Sequence, residues 1–122
     1  MIGQMLSSVL VVDDDPAFRA LAARVLEGMG TKTVLTAPDA AAALREAQAK
    51  RPDAVLVDVG LPDRDGIDLA QQLAALPWGP RVVVTSTDRD VGRTIDARLY
   101  GSLTFIPKEE LVSEPLQRLL GD

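Results

Sequence analysis

The chain has 122 residues, a net charge of −5 at pH 7, no cysteine and no histidine. That length implies one domain, residues 1–122 with a core of about 8–120, large enough to bury a real hydrophobic interior without staples. The composition excludes disulfides, thiolate metal sites, histidine catalysis and phosphohistidine on this chain, and the acidic balance argues against direct nucleic-acid binding.

Strand and helix patterns alternate five times. Met1–Ser8 carries no basic residue and the apolar run after it is short, so neither a signal peptide nor a membrane span is expected, and the default is a cytoplasmic protein. The first strand, about Ser8–Val12, runs into Asp13-Asp14-Asp15-Pro16, where Asp15 suits an N-cap and Pro16 the first helical position. Phe18, Leu21, Ala22, Val25, Leu26 and Met29 follow the helical period, and Gly30 stops the helix. A second strand, about Lys32–Thr36, precedes an alanine-rich helix from about Pro38 to Lys50, ended by Arg51-Pro52.

The third strand, Ala54–Val57, is apolar at every position, as a strand covered on both faces should be. Gly60 to Gly66 reads as a loop, followed by a helix from about Asp65 to Leu76 with Leu69, Leu73 and Leu76 on one stripe. Pro77-Trp78-Gly79-Pro80 breaks the chain, and Trp78 reads as a loop packing residue. The fourth strand is about Arg81–Thr85. A weakly patterned helix, about Asp88–Tyr100, has only Val91, Ile95 and Leu99 as its stripe. The fifth strand is Leu103–Ile106, and a short last helix spans about Ser113–Leu120. Five βα units imply an α/β fold with a five-stranded parallel sheet and helices on both faces, any output domain lying outside these residues.

Four polar signals sit where strands end: Asp13-Asp14, Asp58, Thr85 and Lys108. Ligands of open parallel sheets bind outside the carboxyl ends of the strands, so the four should share one site. If the first and third strands are neighbours, the carboxylates of Asp13, Asp14 and Asp58 crowd together, at about 4 kcal/mol for two charges some 4 Å apart at a dielectric of 20. Such a cluster needs a raised pKa or a cation. With all-oxygen ligands, Mg2+ fits. Adding a lysine and a threonine suits a phosphoryl group, whose oxygens would be shared among the metal, Lys108 and Thr85. An aspartate can itself accept the phosphoryl as an acyl phosphate, and Asp58, alone at its strand end, is the candidate. Taken singly, Lys108 would be a surface lysine, Asp15 only a cap, and Asp63, Asp65 and Asp68 loop and helix N-terminal charges. Thr85 competes with Ser86 and Thr87 as the site hydroxyl.

Val11-Val12-Asp13-Asp14-Asp15-Pro16, Asp58-Val59-Gly60-Leu61-Pro62-Asp63-Arg64-Asp65-Gly66, Val84-Thr85-Ser86 and Phe105-Ile106-Pro107-Lys108 resemble the receiver domain of bacterial two-component response regulators. The resemblance spans nearly the whole chain. It implies a flavodoxin-like (βα)5 doubly wound fold and phosphorylation of Asp58 by a sensor histidine kinase or a phosphotransfer protein. Mg2+ would be held by Asp14, Asp58 and the Gly60 backbone carbonyl, with Asp13 acting largely through water. Thr85 and Lys108 would bind phosphoryl oxygens, and Phe105 would take the aromatic switch position. The domain would catalyse only its own phosphorylation and dephosphorylation, and would signal through self-association or an output protein docking on residues 88–120.

The sequence departs from many receivers in three places. Glu109 follows Lys108 where a proline is common, Gly60 has no side chain at a position that tunes phosphorylation lifetime, and the fourth helix is poorly patterned. Two other readings compete. One is a haloacid-dehalogenase-like phosphohydrolase built on Asp13-x-Asp15, which has Ala17 where that family has Thr or Val and leaves Asp58 unexplained. The other is a pseudo-receiver, against which the complete acidic set and Lys108 count.

Overall fold

Aliphatic runs of four to six residues, each closed by a turn signal, become the strands of one sheet. In the computed structural model, which describes residues 7–87 and 104–110, these are β1 (Ser8–Val12), β2 (Thr33–Ala37), β3 (Ala54–Asp58), β4 (Arg81–Ser86) and β5 (Thr104–Pro107). All neighbours pair in parallel, in the order β2-β1-β3-β4-β5. This is the flavodoxin-like order, in which the chain reverses direction of winding between β1 and β3. The strands leave the sheet within a residue or so of the expected positions. β2 and β5 each sit one residue later than expected, and β3 and β4 each run one residue further.

Three helices are described: α1 (Pro16–Gly28), α2 (Ala40–Lys50) and α3 (Gly66–Ala74). Each begins on an aspartate whose carboxylate accepts a backbone N–H: Asp15 from Ala17, Asp39 from Ala42 and Asp65 from Ile67. Such caps satisfy amides that have no partner within the helix. Pro16 stands at the start of α1. α1 ends ahead of Gly30, which takes the positive φ of 100° that favours glycine. The helices expected near 88–100 and 113–120 lie outside the described residues. Beyond β5, Lys108–Glu110 forms a single 3-10 turn.

Alternation along the strands divides the core in two. Val9, Val11, Ala54, Leu56, Val83 and Ile106 pack against Ala22 and Leu26 of α1. Leu10, Val12, Val55, Val57, Val82 and Val84 pack against Ala40, Ala43 and Ala47 of α2 and Leu69, Ala70 and Leu73 of α3. The alanines of α2 bring that helix close to the sheet, which explains how a helix without buried leucines anchors. Leu21 departs from its expected core stripe: it lies on the outer side of α1 and is 47% exposed. Leu76 falls beyond α3 and packs against the α2–α3 core from the following turn. At the opposite end of the sheet from the acids, the Trp78 indole donates to the Pro52 carbonyl at 3.0 Å, and the Arg51 guanidinium lies 5.4 Å from its ring centre.

Candidate functional site

The same alternation decides which face the polar residues share. Val9–Val11–Asp13, Ala54–Leu56–Asp58, Val83–Thr85 and Ile106–Lys108 each continue a row whose apolar members pack toward α1. Side chains two residues apart in a strand share a face. The polar groups therefore emerge together at the carboxyl edge, on the α1 side. Asp58 and Thr85 stand directly opposite each other in the β3–β4 register.

Lys108 closes the cluster. Its ammonium lies 2.7 Å from Asp13 Oδ2 and 3.4 Å from Asp58 Oδ1. The Phe18 ring of α1 lies beneath it, 4.4 Å from nitrogen to centroid, a cation–π arrangement. Asp13 is fully buried. Its Oδ1 accepts from the Asp15 N–H at 2.9 Å. Its Oδ2 faces the Lys108 ammonium, whose charge compensates it. Arg19 donates to the Asp13 backbone carbonyl at 2.7 Å and fixes the turn that carries it.

Asp58 is 8% exposed. Burial pushes its carboxyl above the usual aspartate range, and the neighbouring Asp13 charge adds to the rise. Lys108 and a hydrogen bond from the Gly60 backbone pull the other way without cancelling it. Repulsion between carboxylates was the cause expected from the sequence; loss of water is the larger one. For Lys108, burial disfavours the charge, but the hydrogen bond and charge of Asp13 together with Asp58 outweigh it and hold the ammonium above its ordinary pKa.

One oxygen each from Asp13, Asp14 and Asp58 lie within 4.8 Å of one another. Two of these residues are buried and Asp14 is exposed, so the cluster opens to solvent on one side. Thr85 is wholly buried and its hydroxyl has no hydrogen-bond partner among the described residues. An unpaired buried hydroxyl costs about 1–3 kcal/mol, so the cost is removed if an incoming group supplies an acceptor. Thr85 lies within β4 rather than just beyond it, and its neighbour Ser86 is also buried. Phe105 is partly buried, pairs with Val84 in register and packs against the α2–α3 core. The helix expected near residues 88–100 lies outside the described residues.

Three supporting residues escaped the sequence reading. Phe18 belongs to a helical apolar stripe and signals only core, yet it forms the seat of Lys108. Gly66 signals only a loop, yet a Cβ there would overlap the Asp58 carbonyl oxygen and approach Val59 Cα to 2.7 Å. Its N–H donates to the Val59 carbonyl at 2.9 Å, and the Val59 N–H to the Thr85 carbonyl at 3.0 Å. Asp63 reads in the sequence as one of the loop and helix N-terminal charges, with nothing to say which helix it serves. Its carboxylate accepts from Ala40 and Ala41, at the start of α2.

A doubly wound parallel sheet that gathers carboxylates, a hydroxyl and a lysine at its carboxyl edge offers one site for a cation and an anionic group. The sequence model of the response regulator receiver domain matches residues 9–119, and the chain belongs to that family. It is 37% identical over 119 residues to the DNA-binding response regulator MtrA of Mycolicibacterium smegmatis, covering 94% of this chain and 51% of that protein. Among solved structures it resembles the chemotaxis response regulator CheY4 of Vibrio cholerae, with a TM-score of 0.78 and 25% identity over 94% of this chain and 99% of that one. It also resembles a response regulator of Burkholderia pseudomallei solved with a phosphorylated aspartic acid, a calcium ion and citrate. That match has a TM-score of 0.79 and 27% identity, and covers 93% of this chain and 66% of that one. The chain spans about half the length of the first curated relatives it matches. No described helix is long and apolar enough to cross a membrane.

Proposed function

We propose that this chain is a single receiver domain over residues 1–122 that takes a phosphoryl group on Asp58 from a sensor histidine kinase or a phosphotransfer protein. The observation that carries the reading is the Lys108 ammonium held between Asp13 and Asp58, with the Thr85 hydroxyl, unpartnered among the described residues, across the register from Asp58. Asp58 supplies the attacking carboxylate oxygen. A P–O bond forms to it as the donor's P–N bond breaks, and the donor imidazole keeps the electron pair. Lys108 meets the charge on one equatorial phosphoryl oxygen, and the Thr85 hydroxyl donates to another.

The donor set suits Mg2+: carboxylates of Asp13, Asp14 and Asp58 and the Gly60 carbonyl are hard oxygen ligands, open to water on the Asp14 side. When bound, that ion supplies positive charge to the transferring group. Asp13 serves through water, since its buried Oδ2 is already engaged by Lys108. The domain transforms no other molecule and works in the cytoplasm. Its output is a changed surface across residues 88–120, read by a second copy or a protein partner.

Incubation with a small acyl phosphate tests the reading. Intact mass should rise by one phosphoryl unit with Mg2+ and stay unchanged in chelator. Sustained turnover of a generic phosphate ester would instead favour a phosphohydrolase, and no labelling in Mg2+ would favour a binding module of the same fold.

A further inference from the structure

Both acid-bearing segments of the site are tied to the β2–α2 junction, one to the end of β2 and the other to the start of α2. On one side, the Asp13 N–H donates to the Ala37 carbonyl at 3.1 Å, at the last residue of β2. On the other, Asp63, five residues beyond Asp58, sends its carboxylate across to α2. Its Oδ1 accepts from Ala40 at 2.9 Å and its Oδ2 from Ala41 at 3.1 Å. Asp39, the helix's own cap, accepts from Ala42 at 2.8 Å. Two carboxylates therefore divide the free amides of one helix terminus between them, and one of the two belongs to the loop after β3.

At the near end of that loop the Val59 N–H donates to the Thr85 carbonyl and the Gly60 N–H to the Asp58 carboxylate, which leaves the Gly60 carbonyl to be set by the residues that follow. Leu61 is buried in the α2–α3 core, but an apolar contact does not fix orientation. Gly66 fixes the far end against Val59. Between them, Asp65 caps its own helix α3, while the carboxylate of Asp63 ties the loop across to α2, with two charge-assisted hydrogen bonds and a favourable helix dipole. Those bonds from Ala40 and Ala41 also hold its carboxyl below the usual aspartate range.

We infer that Asp63 is a positioning residue for the metal site: by bracing the loop after β3 on the N-terminus of α2, it holds the Gly60 carbonyl where it can meet the same ion as Asp58 and the Asp13–Asp14 pair. This rests on the Mg2+ site proposed above. Asp63 touches neither the ion nor the phosphoryl group. It acts through the two intervening residues, Leu61 and Pro62, and its loss leaves the carboxylates in place while the carbonyl wanders.

Isothermal titration of the metal-free chain with Mg2+ alone tests this, with Asp39→Ala as the matched control. Both variants remove a carboxylate from the same helix terminus and both should lower the melting temperature. Only Asp63→Ala also frees the loop. It should raise the Mg2+ dissociation constant about tenfold, as loss of an outer supporting group does elsewhere. Asp39→Ala should leave the dissociation constant unchanged. Asp63→Asn, which keeps one acceptor oxygen in place of the two that Ala40 and Ala41 use, should fall between and carries the test if the alanine variant does not fold. Wild-type Mg2+ affinity in Asp63→Ala, or in Asp63→Asn where that variant carries the test, would overturn the brace and leave the metal site standing. Equal weakening by Asp39→Ala would overturn it too, since general loss of capping would then suffice. A wild-type chain that binds no Mg2+ would overturn the metal site itself and the brace with it.

Discussion

Lys108 is the residue on which the site balances. It is the counter-charge to a fully buried Asp13 and a nearly buried Asp58. Replacing it with methionine keeps the length and removes the charge, leaving two carboxylates facing each other with no compensating cation among the described residues. Breaking a buried pair in this way leaves an uncompensated charge. Lys108→Met should destabilise the metal-free protein by about 3 kcal/mol at neutral pH, checked by urea melts in chelator. Mg2+ should recover part of that loss, because a cation then replaces a cation. The role of Lys108 was legible because it ends a short apolar strand in phase with three other polar strand ends. That of Phe18 was not, since a half-buried aromatic on an amphipathic helix looks the same whether it covers a valine or an ammonium.

At the scale of the element, the segment from β3 to α3 is closely packed. Gly66 lies against the Asp58 carbonyl and Val59, and no side chain can be accommodated there without moving backbone. Gly66→Ala should cost about 3 kcal/mol or more, at the upper end of overpacking penalties, and should lower phosphoryl labelling even where the variant stays folded. Gly60→Ala is the comparison. Its Cβ would meet Asp58 Oδ2 at 3.7 Å, an ordinary contact, so stability should hardly change. Both glycines sit in one loop that composition alone identifies. Which one touches the site backbone depends on how α3 docks, and no local pattern encodes that. The strands were legible because Val, Leu and Ile run to their ends and stop at Asp, Thr or Lys. Strand order was not: it arises from the crossovers, and the sequence could say only that Asp13 and Asp58 would crowd if β1 and β3 were neighbours. Leu21 shows the limit of periodicity, being in phase with the α1 stripe yet half exposed.

The whole molecule carries the electrostatic cost of the site in its stability. Asp58 has a folded-state pKa raised above its unfolded value, which is about 3.9. Its contribution therefore favours folding below the unfolded value and is lost as pH rises through the folded one. The metal-free protein should lose stability from about pH 4 upward over that window, while Asp58→Asn shows no such loss and is more stable at neutral pH by about 1–2 kcal/mol after screening. Lys108, also raised, stabilises below its unfolded pKa of about 10.4 and releases that stability as pH rises through its folded value. Lys108→Met should lack this second, alkaline step. Chemical melts across the pH range in chelator read both. Coincident curves for wild type and Asp58→Asn would mean that burial and the Asp13 charge do not raise the Asp58 carboxyl.

The central claim is that the phosphoryl bond forms at one named carboxylate. Borohydride reduces an acyl phosphate, but not a free carboxylate, to the alcohol, so it converts a phosphorylated aspartate to homoserine. Treating the chain with a small acyl phosphate and Mg2+, reducing it, and sequencing its peptides by mass should place homoserine at position 58, and nowhere in Mg2+-free samples. Homoserine at Asp13 or Asp14, or its undiminished appearance elsewhere in Asp58→Asn, would contradict the account.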